Sequence, residues 1–558
     1  MHVKKNILII GGVAAGATAA ARARRMSEEA EIIIVERGPY VSYANCGLPY
    51  FIAGDIEKRS RLLLQTPEGF DGRYRVRVLV NTEAIAIDRA AKRVTVRNAE
   101  SGEASLPYDR LILAQGGTPV TPSVPGAAGP NVFRLWTVPD MDRLHGYIKD
   151  SSAKTALVVG GGFIGLEMAE AFAKRGLATT VVEVLPTVMA TMDREFGVRI
   201  AQELATHGVR VVTRAQVAAV LSDQHQVQLA DGRKLDADVI LFSVGVRPEL
   251  TLAKQAGLDV GPSGGLRVDE YLRTSDPDIF AAGDMVEVTH RISSRQVRVP
   301  LAGPANRQGR IAASNALGAE TRYPGPLGTS VVKVFEATAA MTGLGEKAAR
   351  DAGFDVGAAI IHKDHHAAYY PDAKELTLKL IYDKKTARVL GAQAFGHAGV
   401  EKRIDVVATA MAGKLSLQDL ADLDLAFAPP YSSANVPVNM AAFVGLNDIN
   451  RFSPIITAAE LKAELASAHA PFLLDVRTLR EFEQGHIKGA SNISVDDLRY
   501  ELAALPKGER VVVYCRSGYR AHLALRVLRD SGVANVANVT GGYLSIEAEG
   551  GFDLEGST

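Results

Sequence analysis

Cys46 and Cys515 are the only two cysteines in 558 residues, and each stands where a thiol could react. Cys46 lies in "SYANCGLPYF", residues 42–51, ten residues past Glu36 and just before an expected helix. A helix N-terminus favours an anion, so the expectation is a lowered thiol pKa and a larger thiolate fraction. Gly47, Leu48, Pro49, Tyr50 and Phe51 follow without a second cysteine, so no resolving thiol is local. Cys515 ends the apolar run "VVVY" and opens a Cys-x(4)-Arg loop through Arg516, Ser517, Gly518, Tyr519 and Arg520. A loop of that kind, between a strand and a helix, turns backbone N–H groups inward and suits a thiolate or a persulfide anion. The plainer reading is a buried strand-end cysteine.

Such groups need rigid elements to place them. "KKNILIIGGVAAGATAAARA" and "KTALVVGGGFIGLEMAEAFA" each read as a short strand, a glycine turn and an alanine-rich helix. Each is followed by a second strand ending in an acid, Glu36 and Glu183. Two copies of a dinucleotide-binding βαβ unit follow from this. Gly160, Gly162 and Gly165 complete G-x-G-x-x-G, whereas Gly11 and Gly16 supply the first and third positions and Val13 takes the second. "YDRLILAQGGTP" and "TSDPDIFAAGD" are two further strands that end on glycine. From about residue 327, "SVVKVFEATAAMTG" and "ELTLKLIYDKKTARVLGAQAFG" alternate as strands, with a turn at Asp383-Lys384. "GLNDINRFSPIITAAE" reads as a linker to the last ~110 residues, a single-domain length.

Composition narrows the classes. The length predicts several domains. Sixty-three basic and 63 acidic residues cancel, so charge points to no nucleic-acid partner. Two cysteines exclude a disulfide framework and suggest a reducing cytoplasm. The N-terminus has a basic start and an apolar run, as a leader would, but Gly11, Gly12 and Gly16 at strand-to-helix spacing favour a first strand and helix. No stretch reaches the ~20 apolar residues of a membrane span.

Together the two glycine turns and the "TSDPDIFAAGD" return segment resemble the pyridine nucleotide–disulfide oxidoreductases. "FLLDVRTLREFEQGHIKGASNI" and "VVVYCRSGYRAHLALRVL" resemble a rhodanese domain. The resemblance implies an α/β fold: two dinucleotide-binding (Rossmann-like) domains, an α+β dimerisation domain and a C-terminal α/β rhodanese domain. The expected boundaries are 1–118 with 275–326 for FAD, 119–274 for NAD(P)H, 327–448 for dimerisation and 449–558 for rhodanese. FAD would lie on Gly11, Gly12, Ala15, Gly16, Glu36, Arg37, Gly116, Gly283, Asp284 and Ala302, with Thr274 opening the return segment. NADH would lie on Gly160, Gly162, Phe163, Ile164, Gly165, Glu183 and Gly245. Glu183 favours NADH, with NADPH as the alternative, because it would repel a 2′-phosphate.

Around Cys46 the likeness is to the coenzyme A–disulfide reductases. It implies coenzyme A contacts at Thr18, Arg22, Arg25, Ser42, Asn45, Cys46 and Asn306. Arg22 and Arg25 lie three residues apart on one face of the first helix, which could equally be a solvated basic surface. The basic residue used after "GF" in that subfamily falls at Tyr74, between Arg73 and Arg75. Tyr370 and Tyr431 would serve the partner subunit's active site, and Tyr369 would be structural. In the rhodanese part Arg520 would join Cys515, with Asp475, Arg477 and His486 as scaffold. The implied activity is FAD-dependent, NADH-driven reduction of coenzyme A persulfide, polysulfide or coenzyme A disulfide, in a homodimer without metal, nucleic acid or membrane. Two alternatives stand beside it. One is an NADH oxidase or peroxidase using a Cys46 sulfenic acid, disfavoured because the first glycine turn lacks a histidine. The other is a sulfurtransferase on a flavoprotein scaffold.

Overall fold

The computed structural model describes residues 5–506 and 508–556. They form two compact units, 1–186 with 207–328, and 187–206 with 329–558.

The first unit contains two five-stranded parallel sheets of matching design. In one, Asn6–Ile10 lies between Glu31–Val35 and Arg110–Leu113, with Val76–Leu79 and Ile279–Ala281 at the edges. In the other, Thr155–Val159 lies between Ala178–Val182 and Val239–Phe242. The register is equivalent, Ile10 opposite Val35 and Val159 opposite Val182. Parallel sheets are covered on both faces, which is why these strands are near-continuous Ile, Leu and Val. Helices Ala14–Met26 and Phe163–Lys174 begin at the two glycine turns. Ala14–Met26 crosses Ala302–Ala316 so closely that a Cβ on Gly309 would come 2.2 Å from the Ala15 carbonyl oxygen.

The second unit has a five-stranded antiparallel sheet in the order Ser330–Val334, Ala337–Gly343, Val389–Gly396, Glu375–Asp383, Val356–Asp364. Its last domain is a parallel sheet centred on Val511–Tyr514. The two sheets are tied by Thr540, whose Oγ1 accepts from Ile360 N at 2.7 Å and donates to Ile360 O at 3.2 Å. Residues 445–449, expected to be linker, are instead the end of helix Pro437–Ile449. There Asp448 accepts from Tyr382 Oη at 2.9 Å and from Ile455 N at 3.1 Å, so the junction is a packed turn. Helix Arg194–Thr206 also belongs to this unit, although it falls inside the stretch expected for the second nucleotide domain. Among the described residues no helix is long and apolar enough to cross a membrane.

Candidate active site

The glycine turns are built to admit a ligand. At Gly11 and Gly160 φ is +98° and +103°, a region that favours glycine. Gly16 and Gly165 allow the helix to touch the turn: a Cβ there would lie 1.8 Å from Gly11 O and 2.0 Å from Gly160 O. At Gly162 a Cβ would meet no heavy atom within 4 Å, and Gly116 and Gly245 face open space in the same way. Val13 takes the middle position of the first turn at a φ of −98°, outside the left-handed region that favours glycine. Glu36 accepts from Gly12 N and Gly38 N; Glu183 does the same for Gly161 N and Leu185 N. Each carboxylate therefore braces its own turn and keeps further lone pairs for hydroxyl groups.

A cavity of about 340 Å³ is lined by Gly11, Glu36, Arg37 and Gln115, among others. The Gln115 Oε1 is buried there without a partner. Asp284, after Gly283, has its pKa pushed up to about 6 by burial. An acid so placed favours a hydroxyl donor over solvent. Gly283 N donates to Gln308 on the helix that begins at Ala302. These groups fit a dinucleotide such as FAD. Phe163 and Ile164 begin the helix after the second turn, where an NADH pyrophosphate would approach.

Cys46 lies in the short turn Asn45–Gly47 ahead of helix Leu48–Ala53. Ser42, at φ 47°, donates its N–H to Gly12 O, and Ala44 N donates to Leu62 O. Cys46 is thereby pinned beside the first glycine turn. It is exposed, and its N–H donates to Asn45 Oδ1 at 3.1 Å. The expected lowering of its pKa is overturned. Crowding by protein around the sulfur raises it, as do the carboxylates of Glu167 and Asp284. A six-residue helix carries too little dipole to offset a charged carboxylate.

Glu167 and Tyr50 were not anticipated. Tyr50 Oη donates to Glu167 Oε1 at 3.1 Å, joining the Cys46 helix to the one after the second glycine turn. Burial pushes Glu167 up to about 7. Its value lies above the ordinary 4.5, so its contribution to stability is present below that pH and lost as pH rises through about 7. Above that pH its charge opposes a second anion at Cys46. In a Cys515→Ser background, Glu167→Gln should therefore move the pH midpoint of Cys46 alkylation down by about one pH unit. An unchanged midpoint would show that Glu167 does not act on the thiol.

Several residues expected to hold coenzyme A do meet. Thr18 Oγ1 donates to Asn306 Oδ1 at 2.9 Å, and Arg22 Nε donates to Ser314 Oγ at 2.9 Å. Burial, then the charges of Arg310 and Arg25, lower the Arg22 pKa. Arg310 sits one turn beyond Asn306, a spacing that could have marked it in the sequence. Three arginines so grouped suit phosphates. Arg24, by contrast, is buried and gives its hydrogen bonds to backbone carbonyls, among them Tyr74 O and Arg75 O. This pins the Tyr74 segment as structure.

In the second unit Tyr370 and Tyr431 are exposed, at 43% and 70%, and Tyr369 at 77%. Their segments adjoin through Ala367 N and Pro429 O. Cys515 is buried, and its Sγ accepts from Gly518 N at 3.2 Å. Arg520 forms a two-pronged pair with Glu481 at 2.7 and 2.6 Å. Asp475 and Arg477 form a buried pair, and His486 stacks on Phe482 at 3.6 Å. Asp193, Glu195 and Glu346 are close enough together to hold a cation, but the Lys379 ammonium lies among them at 2.5–2.8 Å.

Comparison with known proteins agrees with this architecture. Residues 5–309 match the pyridine nucleotide-disulphide oxidoreductase family, 329–438 its dimerisation domain and 457–549 the rhodanese-like domain. Reduced CoADR-RHD of Bacillus anthracis superposes with a TM-score of 0.95 at 40% identity, over 98% of both chains. An NAD-dependent persulfide reductase from A. fulgidus gives 0.89 at 36%, over 97% of this chain and 99% of that one. The CoA-dependent NAD(P)H sulfur oxidoreductase of Pyrococcus abyssi is 34% identical over 80% of this chain and 99% of its own. The chain thus belongs to the pyridine nucleotide-disulphide oxidoreductases, enzymes that work with flavin and NAD(P)H, and it carries the family's dimerisation domain and a C-terminal rhodanese-like domain.

Proposed function

We propose that this enzyme uses NADH to reduce sulfur–sulfur bonds of coenzyme A persulfide, polysulfide or coenzyme A disulfide through Cys46 alone, while Cys515 carries sulfane sulfur. The observation that carries the reading is the exposed Cys46 thiol, held against the first glycine turn without a cysteine beside it, in a chain whose other thiol lies in a persulfide-type loop. The name of the A. fulgidus neighbour supports the same substrate class.

Each part of the chain then has a task. Residues 1–118 with 275–326 form the FAD domain, 119–274 the NADH domain apart from the segment 187–206 that packs in the second unit, 327–448 the dimerisation domain and 449–558 the rhodanese domain. The Gly11 turn, Glu36, Arg37, Gly116, Asp284 and Ala302 hold FAD, which supplies two-electron transfer between NADH and sulfur. The Gly160 turn and Gly245 admit NADH, and Glu183 accepts from its ribose. Thr18, Arg22, Arg25, Ser42, Asn45 and Asn306 hold coenzyme A. The Cys46 thiolate attacks the sulfur–sulfur bond, one sulfur leaves as a thiolate or hydrosulfide, and the other stays joined to Cys46. Two electrons from NADH return Cys46 to the thiolate. In a homodimer, Tyr370 and Tyr431 serve the second copy's site as hydroxyl donors to the leaving sulfur.

Release of bound small molecules tests the assignment. The protein is denatured with and without reductant and the supernatant analysed by mass spectrometry. FAD is expected in both samples and coenzyme A only with reductant. If coenzyme A is absent from both, its place on Cys46 is lost.

A further inference from the structure

Both arginines of the rhodanese loop, Arg516 and Arg520, are paired with carboxylates. Arg520, the last residue of the loop, pairs with Glu481 through both terminal nitrogens, also reaches the Cys515 sulfur, and holds the Glu481 carboxyl down to about 2. Arg516, next to the cysteine, pairs with Glu375 of the antiparallel sheet at 2.9 Å. Tyr519, within the loop, is 65% exposed. Tyr519 adjoins Arg520 at the start of the helix that follows the loop.

We propose that Cys515 takes sulfane sulfur from a carbon-bound persulfide and discriminates against thiosulfate, with Glu481 and Glu375 as the residues that set this preference. The inference rests on the reading of Cys515 as a sulfur carrier. Thiosulfate places two negative charges within a few ångströms of the transferred sulfur and needs cations for both. Here each loop arginine already carries a carboxylate, which cancels its charge toward a second anionic group. A carbon-bound persulfide has one negative charge at its reacting end and an alkyl group that can lie on the exposed Tyr519 ring.

The step is balanced without an external oxidant or reductant. The Cys515 thiolate attacks the outer sulfur of R–S–S⁻. The donor's S–S bond breaks, a new one forms on Cys515, and R–S⁻ leaves with the bonding pair. With thiosulfate the leaving group would be sulfite.

The test uses the full-length holoenzyme carrying Cys46→Ser, so that Cys515 is the one thiol able to gain sulfur. Addition of one sulfur atom is timed by quenching and intact-mass spectrometry, with glutathione persulfide or thiosulfate as donor. Loading from the persulfide should exceed that from thiosulfate by about 100-fold, the combined effect of two carboxylates at about tenfold each for an effective dielectric of about 20. Glu481→Gln keeps the capping hydrogen bonds of its helix. It should raise thiosulfate loading relative to persulfide loading about tenfold, and Glu375→Gln, in a different domain, should move the ratio the same way. Equal loading from both donors in the parent protein, or a ratio moved by neither variant, would overturn the preference. Failure of both donors would instead overturn Cys515 as a sulfur carrier, and the preference with it.

Discussion

Cys46→Ser is expected to lower anaerobic NADH oxidation by a persulfide at least about a thousandfold, the scale on which removal of an essential nucleophile acts. A serine hydroxyl is not ionised near neutral pH, and attack on a sulfur–sulfur bond requires the anion. Cys46 is pinned by backbone bonds of Ser42 and Ala44, so the change should leave the surrounding turn in place. Sulfur loading of Cys515 should survive, because that thiol accepts from the backbone of its own loop. The measurement is NADH absorbance under argon with glutathione persulfide and coenzyme A present. Turnover that survives unchanged would remove Cys46 from the mechanism. Turnover that appears only with oxygen, and without need of coenzyme A, would make the enzyme an oxidase.

Lys379→Met should cost the second unit about 3–5 kcal/mol, the loss typical when one partner of a buried ion pair is removed. Lys379 is 2% exposed, and its ammonium meets Asp193, Glu195 and Glu346. Its pKa is raised because the three carboxylates outweigh burial. Asp193 and Glu195 come from the segment 187–206, while Glu346 and Lys379 belong to the antiparallel-sheet domain. The cluster is therefore a lock between separate stretches of chain. Without the lysine the carboxylates repel one another and their folded-state pKa values rise. The variant should then be least stable at and above neutral pH and recover as pH falls toward the ordinary carboxylate range. Urea unfolding followed by circular dichroism at several pH values reads this directly. A loss that does not depend on pH would mean that packing, and not charge, is what Lys379 supplies.

Most of the scaffold was legible. The two βαβ starts were visible because a parallel strand, a glycine turn and a helix each leave a local signature, and their central strands pair in equivalent register as the repeat implies. The linker was misplaced because helix Pro437–Ile449 continues on tertiary support: Asp448 is held by Tyr382, 66 residues away. Lys379 is a polar residue among the apolar ones of "ELTLKLIYD". It is buried because a distant segment covers it.

By itself the sequence determined which groups could react: two thiols, two nucleotide turns and a Cys-x(4)-Arg loop, each a matter of residue type and short spacing. Only the tertiary structure decided their electrostatic surroundings. Glu167 reaches the Cys46 helix across 117 residues, and Glu481 reaches Arg520 across 39. Charges act through space, so the carboxylate that raises a thiol pKa or cancels an arginine need not lie near it in the chain. For that reason Cys46, expected to be an easily ionised thiol, is one whose ionisation the protein crowded around its sulfur and neighbouring carboxylates oppose.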